Sequence, residues 1–448
     1  MTRQTVFSWG RTAPSESDVL ALPSRFDTLP ALRPDSPSML PFGNGRSYGD
    51  SCLNPGGTLL STRYLDHFIA FDAATGVLRC EAGVLLSDIL KLIVPQGWFL
   101  PVTPGTRFVT VGGAIANDVH GKNHLSHGTF GRHVRALALR RSDGATLQCS
   151  PHENADWFAA TIGGLGLTGV VLWAEIQMRP IASPWVEEQT ERFASLDQFF
   201  ALCRAYADTH EYTVAWIDCS AGAHRVGRGL FTRARHAPAD AQPPRHGDRP
   251  RSRSMPFTPP FSLVNRLSVG AFNTLHYHRT GRAEPPRLTH CDTFFYPLDH
   301  ILQWHRMYGP KGFYQYQCVV PPEDARAALH ALLSEIGRSG AASFLGVLKQ
   351  FGPLASPGLL SFPREGFTLA LDFPNAGPRL HALFERLDAI VAGTGGRLYP
   401  AKDGRMSGAC FRAGYPQWEA LTPYIDPAFS SGFWRRVTDG ATHREMSK

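Results

Sequence analysis

From about residue 311 to 402 the apolar and polar positions alternate with periods that switch in a regular order. Residues 312–320 (GFYQYQCVV) form an extended, mostly apolar run that predicts a strand. Pro321-Pro-Glu-Asp324 then opens a helix in which Leu329, Leu332, Leu333 and Ile336 fall at i, i+3, i+4 and i+7. Residues 343–351 (SFLGVLKQF) and 367–373 (FTLALDF) predict two more strands. Leu380, Leu383, Phe384 and Leu387 repeat the helical spacing between Pro378 and Gly393, and residues 397–401 predict the last strand. The order β-α-β-β-α-β is that of a ferredoxin-like unit with its helices on one face of the sheet. On its first strand Gln315 and Gln317 point one way, and Tyr314, Tyr316 and Cys318 the other. A polar ligand over that face explains the two amides; so does the solvation of an edge strand.

The rest of the chain is less regular. Residues 10–180 are rich in glycine and short β-type runs (59–61, 77–80, 170–175), and 185–300 are mixed. Residues 232–260 combine proline, arginine and small residues with little to bury, which predicts a mobile surface loop. At 448 residues, with 43% hydrophobic and 19% charged positions, the chain can form a large core divided into domains.

The net charge of +7 suits an anionic ligand or an acidic membrane surface, and no nucleic-acid-binding signature accompanies it. Residues 1–17 contain no apolar run of the kind a secretory leader needs, and no stretch approaches the roughly 18 apolar residues of a membrane span. The eight cysteines are scattered, without a Cys-x-x-Cys pair. They predict reduced thiols, a cytoplasmic location, and neither a disulfide frame nor a zinc site.

Three glycine-rich segments carry the chemistry. Pro41-Phe-Gly-Asn-Gly-Arg-Ser-Tyr-Gly-Asp50 can present backbone N–H groups to phosphate oxygens. Thr110-Val-Gly-Gly113 is a second close-approach turn, and residues 161–170 (TIGGLGLTGV) a third. The third does not fit the dinucleotide fingerprint, so a nicotinamide-type Rossmann reading fails. Three such turns within about 130 residues point to a long ligand with a diphosphate laid along backbone. His120, His124 and His127 lie close in sequence, but no carboxylate completes a catalytic metal centre, and no metal is expected.

Trp9-Gly-Arg-Thr-Ala-Pro-Ser15, Gly45-Arg-Ser-Tyr-Gly-Asp50, residues 104–124 and residues 163–169 resemble the FAD-binding domain of the vanillyl-alcohol-oxidase (PCMH-type) superfamily. Within it the chain is most similar to the decaprenylphosphoryl-β-D-ribose 2′-oxidase family. The likeness continues through Phe313-Tyr-Gln-Tyr-Gln317, residues 344–353, Asp372-Phe-Pro374 and Gly396-Arg-Leu-Tyr-Pro-Ala-Lys-Asp403, and is weakest over 185–300.

The resemblance implies an α+β fold: a PCMH-type two-subdomain FAD-binding domain at 1–183 and a substrate domain at 184–398 containing the ferredoxin-like βαββαβ unit. A C-terminal segment at 399–448 returns to the FAD domain. It implies that FAD is held by Gly43, Asn44, Gly45, Arg46, Ser47, Tyr48, Gly49, Gly105, Thr110, Val111, Gly112, Gly113, Asn117, Asp118, Val119, His120, Val170, Val171 and Tyr399. Relatives that bind flavin covalently use a histidine in the first glycine turn. Tyr48 stands in that neighbourhood here, so non-covalent FAD is expected. Lys402, Tyr399, His120 and Tyr48 are the implied catalytic residues; Lys122, Gln315, Gln317, Lys349, Phe351 and Thr368 are the implied substrate contacts.

Ala370 replaces a cysteine, and Thr368 an asparagine, found in some members. The lipid-binding loop does not transfer across 220–280. The implied reaction is oxidation of a sugar secondary alcohol, the C2′ hydroxyl of a polyprenyl-phosphoryl-β-D-ribofuranose, followed by a separate short-chain reductase that completes an epimerisation to arabinose. Peripheral contact with the inner membrane face is left open. Two other readings remain at this point: an alditol or aldonolactone oxidase using oxygen and a soluble sugar, and a non-catalytic flavin-binding partner subunit.

Overall fold

The architecture was obtained as a computed structural model that describes residues 3–32, 36–220, 226–242 and 252–438. The N-terminal part holds two sheets. Arg3–Val6 (β1), Ser15–Ala21 (β2), Met39–Phe42 (β3) and Thr58–Ser61 (β4) pair in the order β1-β2-β4-β3, the last three parallel. Phe68–Asp72 (β5), Val77–Glu81 (β6), Val134–Arg140 (β7), Thr146–Cys149 (β8) and Val170–Gln177 (β9) form an antiparallel sheet in the order β5-β6-β9-β7-β8. The short helix Val111–Ala116 (α1) buries Val111, Ala114 and Ile115 in the core of that second sheet.

A further eight strands make one large sheet, and two short two-stranded pairs, Trp98–Phe99 with Arg179–Pro180 and Arg253–Ser254 with Ile301–Leu302, stand apart from it. The eight are Trp185–Phe193 (β10), Tyr212–Ile217 (β11), Gly229–His236 (β12), Arg287–His290 (β13), Phe313–Val320 (β14), Gly346–Phe351 (β15), Gly366–Pro374 (β16) and Arg397–Leu398 (β17). Their order is β13-β10-β12-β11-β15-β16-β14-β17, antiparallel throughout. The first four strands and the last four repeat one strand order, and β11 joins β15 at the seam through Ala215↔Leu348 and Trp216↔Val347. Leu196–Tyr206 (α2) and Arg266–Arg279 (α3) interleave with the first set; Ala325–Ser339 (α4) and Pro378–Gly393 (α5) interleave with the second.

Period-two alternation divides the sheet into two unlike faces. Tyr314, Tyr316 and Cys318 on β14, and Phe367, Leu369, Leu371 and Phe373 on β16, pack under Leu329, Leu332, Leu383 and Phe384 of the helices. The residues between them face away from the helices. β17 pairs with β14 only at Cys318 and Val319, yet Gln317 is buried and Gln315 half-buried on the face away from the helices, so solvation of an edge does not account for Gln317. The strand expected at 343–351 starts at Gly346, and the one expected at 397–401 ends at Leu398, where the chain leaves the sheet.

The loop expected over 232–260 begins later than the composition suggested. Thr232 to His236 complete β12, and Arg253–Ser254 pairs in parallel with Ile301–Leu302; residues 243–251 lie outside the described residues. Among the described residues no helix is long and apolar enough to cross a membrane.

Candidate functional site

A cavity of about 710 Å³ lies between the glycine turns of the N-terminal part and the helix-free face of the large sheet. Its first wall is the turn that follows β3. Gly45 has φ of +59°, and the N–H groups of Gly43, Asn44, Gly45 and Arg46 donate to no other group among the described residues. A Cβ on Gly43 would fall 2.4 Å from Thr110 Oγ1, so only glycine lets this turn close on α1. The N–H groups of Gly105 and Thr106 are likewise without a partner, and a Cβ on Gly105 would meet open space. Unpaired N–H groups in a concave turn suit diphosphate oxygens, which is the test a flavin dinucleotide must pass here.

The second expected phosphate nest does not exist in that form. Val111 N–H donates to Val84 O at 2.9 Å, Gly112 N–H to Ala82 O at 2.7 Å and Gly113 N–H to Thr110 Oγ1 at 3.1 Å. Those donors are consumed in seating and capping α1. Gly112 and Gly113 instead leave a side-chain-free surface, with Val171 and Gly169 beside it, against which a planar ring can lie. In the third segment, Gly163 and Leu165 spend their N–H groups on Ile115 O and Ala116 O.

The opposite wall is the sheet. Cross-strand register sets Gln317 beside Ala370, Gln315 beside Asp372, and Lys349 beside Thr368. Gln317 Nε2 donates to Thr368 Oγ1 at 3.2 Å and lies 3.1 Å from His120 Nε2. Lys349 Nζ lies 3.2 Å from His120 Nδ1. Burial holds the His120 imidazolium far below the ordinary histidine range, with Lys349, His124 and Lys402 adding repulsion. Burial and repulsion from Lys122 and Lys402 bring Lys349 down to about 7, and burial brings Lys122 down to about 8. Lys122 donates to Phe294 O, with its ammonium 4.0 Å from the Phe294 ring centre.

The C-terminal segment closes the site from the third side. Tyr48 N–H donates to Ala401 O at 2.8 Å. A Cβ on Gly49 would overlap Asp403 O, at 1.6 Å. Arg436 bridges Asp50, at 2.7 Å, and Asp403, at 3.0 Å. This clasp puts Lys402 Nζ 3.7 Å from the Tyr48 ring centre, while Tyr399 donates to Asn117 O at 3.0 Å and stacks on Phe362. Burial lowers Lys402, and Asp372 opposes that effect. Burial raises Asp372, whose Oδ1 accepts from Gln315 at 2.5 Å and whose Oδ2 has no partner.

Of the residues expected from the sequence, Gly43 to Tyr48, Gly105, Thr110, Gly112, Gly113, Asn117, Val119, His120, Lys122, Val171, Gln315, Gln317, Lys349, Thr368, Tyr399 and Lys402 line this one cavity. Five expected residues do not. Val111 and Val170 point into the core, because α1 and β9 each turn one face inward. Gly49 is pressed against Asp403 instead. Asp118 is fully buried, where its carboxylate accepts from Gly131 N–H at 2.8 Å and from the hydroxyls of Ser356 and Ser361. Phe351 shares the Lys349 face but is covered by the histidines, its ring 4.8 Å from that of His120 and 4.3 Å from that of His124. His124 Nδ1 accepts from Gly352 N–H, and His127 Nδ1 pairs with Ser126 Oγ, so the three sequence-neighbouring histidines are engaged separately.

Sequence reasoning missed Asp372, Asp299, Trp9 and Trp304, all of which line the cavity. Asp372 was within reach: on a strand it shares a face with Thr368 and Ala370. Trp9 comes from a turn, and Asp299 and Trp304 from the 3-10 helices Pro297–His300 and Trp304–Tyr308, too short for periodicity to mark an inward side.

Comparison with known proteins adds a family match and three relatives. The FAD binding domain family matches residues 33–150. The decaprenylphosphoryl-beta-D-ribose oxidase of Mycolicibacterium smegmatis is 36% identical over 454 residues, covering 97% of this chain and 98% of that protein. An uncharacterized protein in the mprA 5′ region of Streptomyces coelicolor is 34% identical over 79% of this chain and 100% of its own length. The L-gulonolactone oxidase of Mus musculus is 30% identical over 155 residues, 34% of each chain.

Proposed function

Because the chain belongs to the decaprenylphosphoryl-β-D-ribose oxidase family and is an FAD-dependent oxidoreductase, we propose that it oxidises the C2′ hydroxyl of a polyprenyl-phosphoryl-β-D-ribofuranose to the keto sugar. That is the first half of an epimerisation to arabinose, and a short-chain reductase would take up the keto product. The observation that carries this reading is the convergence of Lys122, Lys349 and Lys402 on one cavity whose far wall is the unpaired N–H turn. Lys122 and Lys402 repel a protonated Lys349 and help bring it down to about 7, and a phosphoryl sugar and a diphosphate cofactor would offset the positive charge the cluster carries.

Bound FAD supplies the hydride acceptor. The Gly43–Arg46 turn and Gly105 would hold its diphosphate, and Gly112, Gly113 and Val171 would bound its ring. With Tyr48 rather than histidine in the first turn, the cofactor is held without a covalent link.

The protein's own part is to position the carbinol and take its proton. Gln317 spends its amide hydrogens on Thr368 and on His120 Nε2. A neutral imidazole that accepts at Nε2 carries its hydrogen on Nδ1, which then donates to Lys349 Nζ. Lys349 must therefore offer a lone pair, in keeping with a pKa of about 7. When the bound carbinol displaces His120 Nδ1–H from that single lone pair, the neutral amine accepts the hydroxyl proton while the C–H electron pair leaves as hydride, yielding the C=O bond. Lys402 keeps a cation where negative charge accumulates on hydride uptake.

Anaerobic addition of polyprenyl-phosphoryl ribose to the purified yellow protein should bleach its visible absorbance. Bleaching by free alditols or aldonolactones alone would favour the soluble-sugar oxidase, which the gulonolactone oxidase similarity supports only over the N-terminal third. The same substrate places the working enzyme at the inner membrane face, as a peripheral protein.

A further inference from the structure

The cavity opens beside a surface that a water-exposed enzyme would not ordinarily carry. Ile301 and Leu302 line the mouth yet are 41% and 43% exposed, and Ser254 beside them belongs to both cavity and surface. The chain is pinned there by Met255 N–H donating to Leu302 O, and by Arg306 holding the carbonyls of Met255 and Pro256. It then runs as a strap that exposes Phe257, Phe261 and Leu263, and enters α3 through the Asn265–Ser268 capping box.

That helix is turned inside out. Only Val269 and Asn273 among its residues are buried. Asn273 fastens it through Asp218 and Ser343, and Val269 packs beside Trp304. Leu267, Ala271 and Leu275, at i, i+4 and i+8, make an outward apolar stripe, with Leu267 84% and Leu275 67% exposed and Phe272 at its flank. Along the sequence between Asp248 and Glu284 every formally charged residue is an arginine. A stripe of large apolar side chains flanked by arginines, on a helix that buries only Val269 and Asn273, fits an interface in which one side is hydrocarbon and the other anionic.

We infer that α3 and the strap 255–263 are the face by which the protein docks on an anionic lipid bilayer, with the cavity mouth at Ile301–Leu302 turned to the same surface. This rests on the polyprenyl-phosphoryl reading of the substrate and adds where the lipid is met. Leucine and phenylalanine side chains enter the interface, and Arg253, Arg266, Arg279 and Arg282 meet the headgroup phosphates. The polyprenyl tail can then remain in the bilayer while the sugar enters beside Ser254.

Sedimentation of the full-length, FAD-loaded protein with phosphatidylglycerol/phosphatidylethanolamine vesicles tests this directly. The protein should pellet with these vesicles, bind phosphatidylcholine vesicles far less, and be released by salt. The double substitution Leu267→Glu and Leu275→Glu lies outside the cavity lining. It should lower vesicle partitioning by at least about tenfold and leave flavin absorbance and thermal midpoint unchanged. It should also slow oxidation of a vesicle-embedded substrate while sparing a short-chain, water-soluble phosphoryl ribose. Equal partitioning of the double variant and the parent overturns the assignment. So does a dimer in light scattering that the same variant dissolves without any vesicle binding, since the stripe would then join two copies of the chain. If vesicles are bound as stated but no phosphoryl ribose bleaches the flavin, the substrate reading fails and the docking face stands.

Discussion

Lys349→Met should leave the cofactor-free protein more stable and the enzyme inactive. The folded environment brings this lysine from 10.5 down to about 7, through burial and the repulsion of Lys122 and Lys402. Such a displacement corresponds to an upper bound of about 5 kcal/mol against the ammonium form. Cavity water reaches the side chain and screens part of that penalty, and methionine forfeits the 3.2 Å contact with His120. A net gain of about 1–3 kcal/mol remains at pH 6. The sign follows from linkage. The folded value is depressed, so the penalty is complete below about pH 7 and fades as pH rises towards 10.5, where both states are neutral. Urea unfolding of the parent and variant without FAD, at pH 6, 8 and 10, measures it. With FAD and its negative diphosphate in place the gain should shrink. A variant that is destabilised at pH 6, or a gain that does not change with pH, would refute the reasoning that three lysines repel one another across an underpaired cavity.

Other outcomes follow from the same geometry. The kcat/KM of the parent should climb with pH and then level, with a midpoint at or above the value of about 7 of the cofactor-free site because the FAD diphosphate favours the ammonium, since Lys349 must be unprotonated to accept the carbinol proton; a profile flat from pH 5.5 to 9 counts against that role. Lys402→Met should slow anaerobic flavin reduction by about 10²–10³-fold while the protein stays yellow, and full-speed reduction in stopped flow would remove Lys402 from the chemistry. Gly43→Val should yield protein that folds but purifies largely colourless, because the added side chain strikes Thr110 and distorts the turn whose four N–H groups are unpaired among the described residues; FAD titration by fluorescence reads the loss. Acid precipitation of the parent should release all of the flavin into the supernatant, and a yellow pellet would show a covalent link.

The elements around residues 313–398 were legible because their apolar residues keep period: buried Leu329, Leu332, Leu333 and Ile336 mark α4, and Leu380, Leu383, Phe384 and Leu387 mark α5. The equivalent set of strands at 185–290 was not legible. β10 reads WVEEQTERF, with charged residues on a partly solvated strand, and a long segment separates β12 from α3. A repeated strand order survives such a sequence because hydrogen-bonded pairing, not side-chain identity, defines it.

At the site, residue types and spacing were enough to single out the glycine turns and the paired glutamines, whereas Lys402 was marked only by the family resemblance. Glycine acts through local backbone freedom and alternation acts through strand geometry, and both are written in consecutive residues. The sequence could not say which of three glycine segments keeps its N–H groups free, because their partners, Ala82 and Val84 among them, come from elsewhere in the chain. Nor could it bring His120, Gln317 and Lys349 into one chain of contacts, or charge them against one another. Proton affinity depends on burial and on neighbours distant in sequence, and only the folded chain brings those within reach.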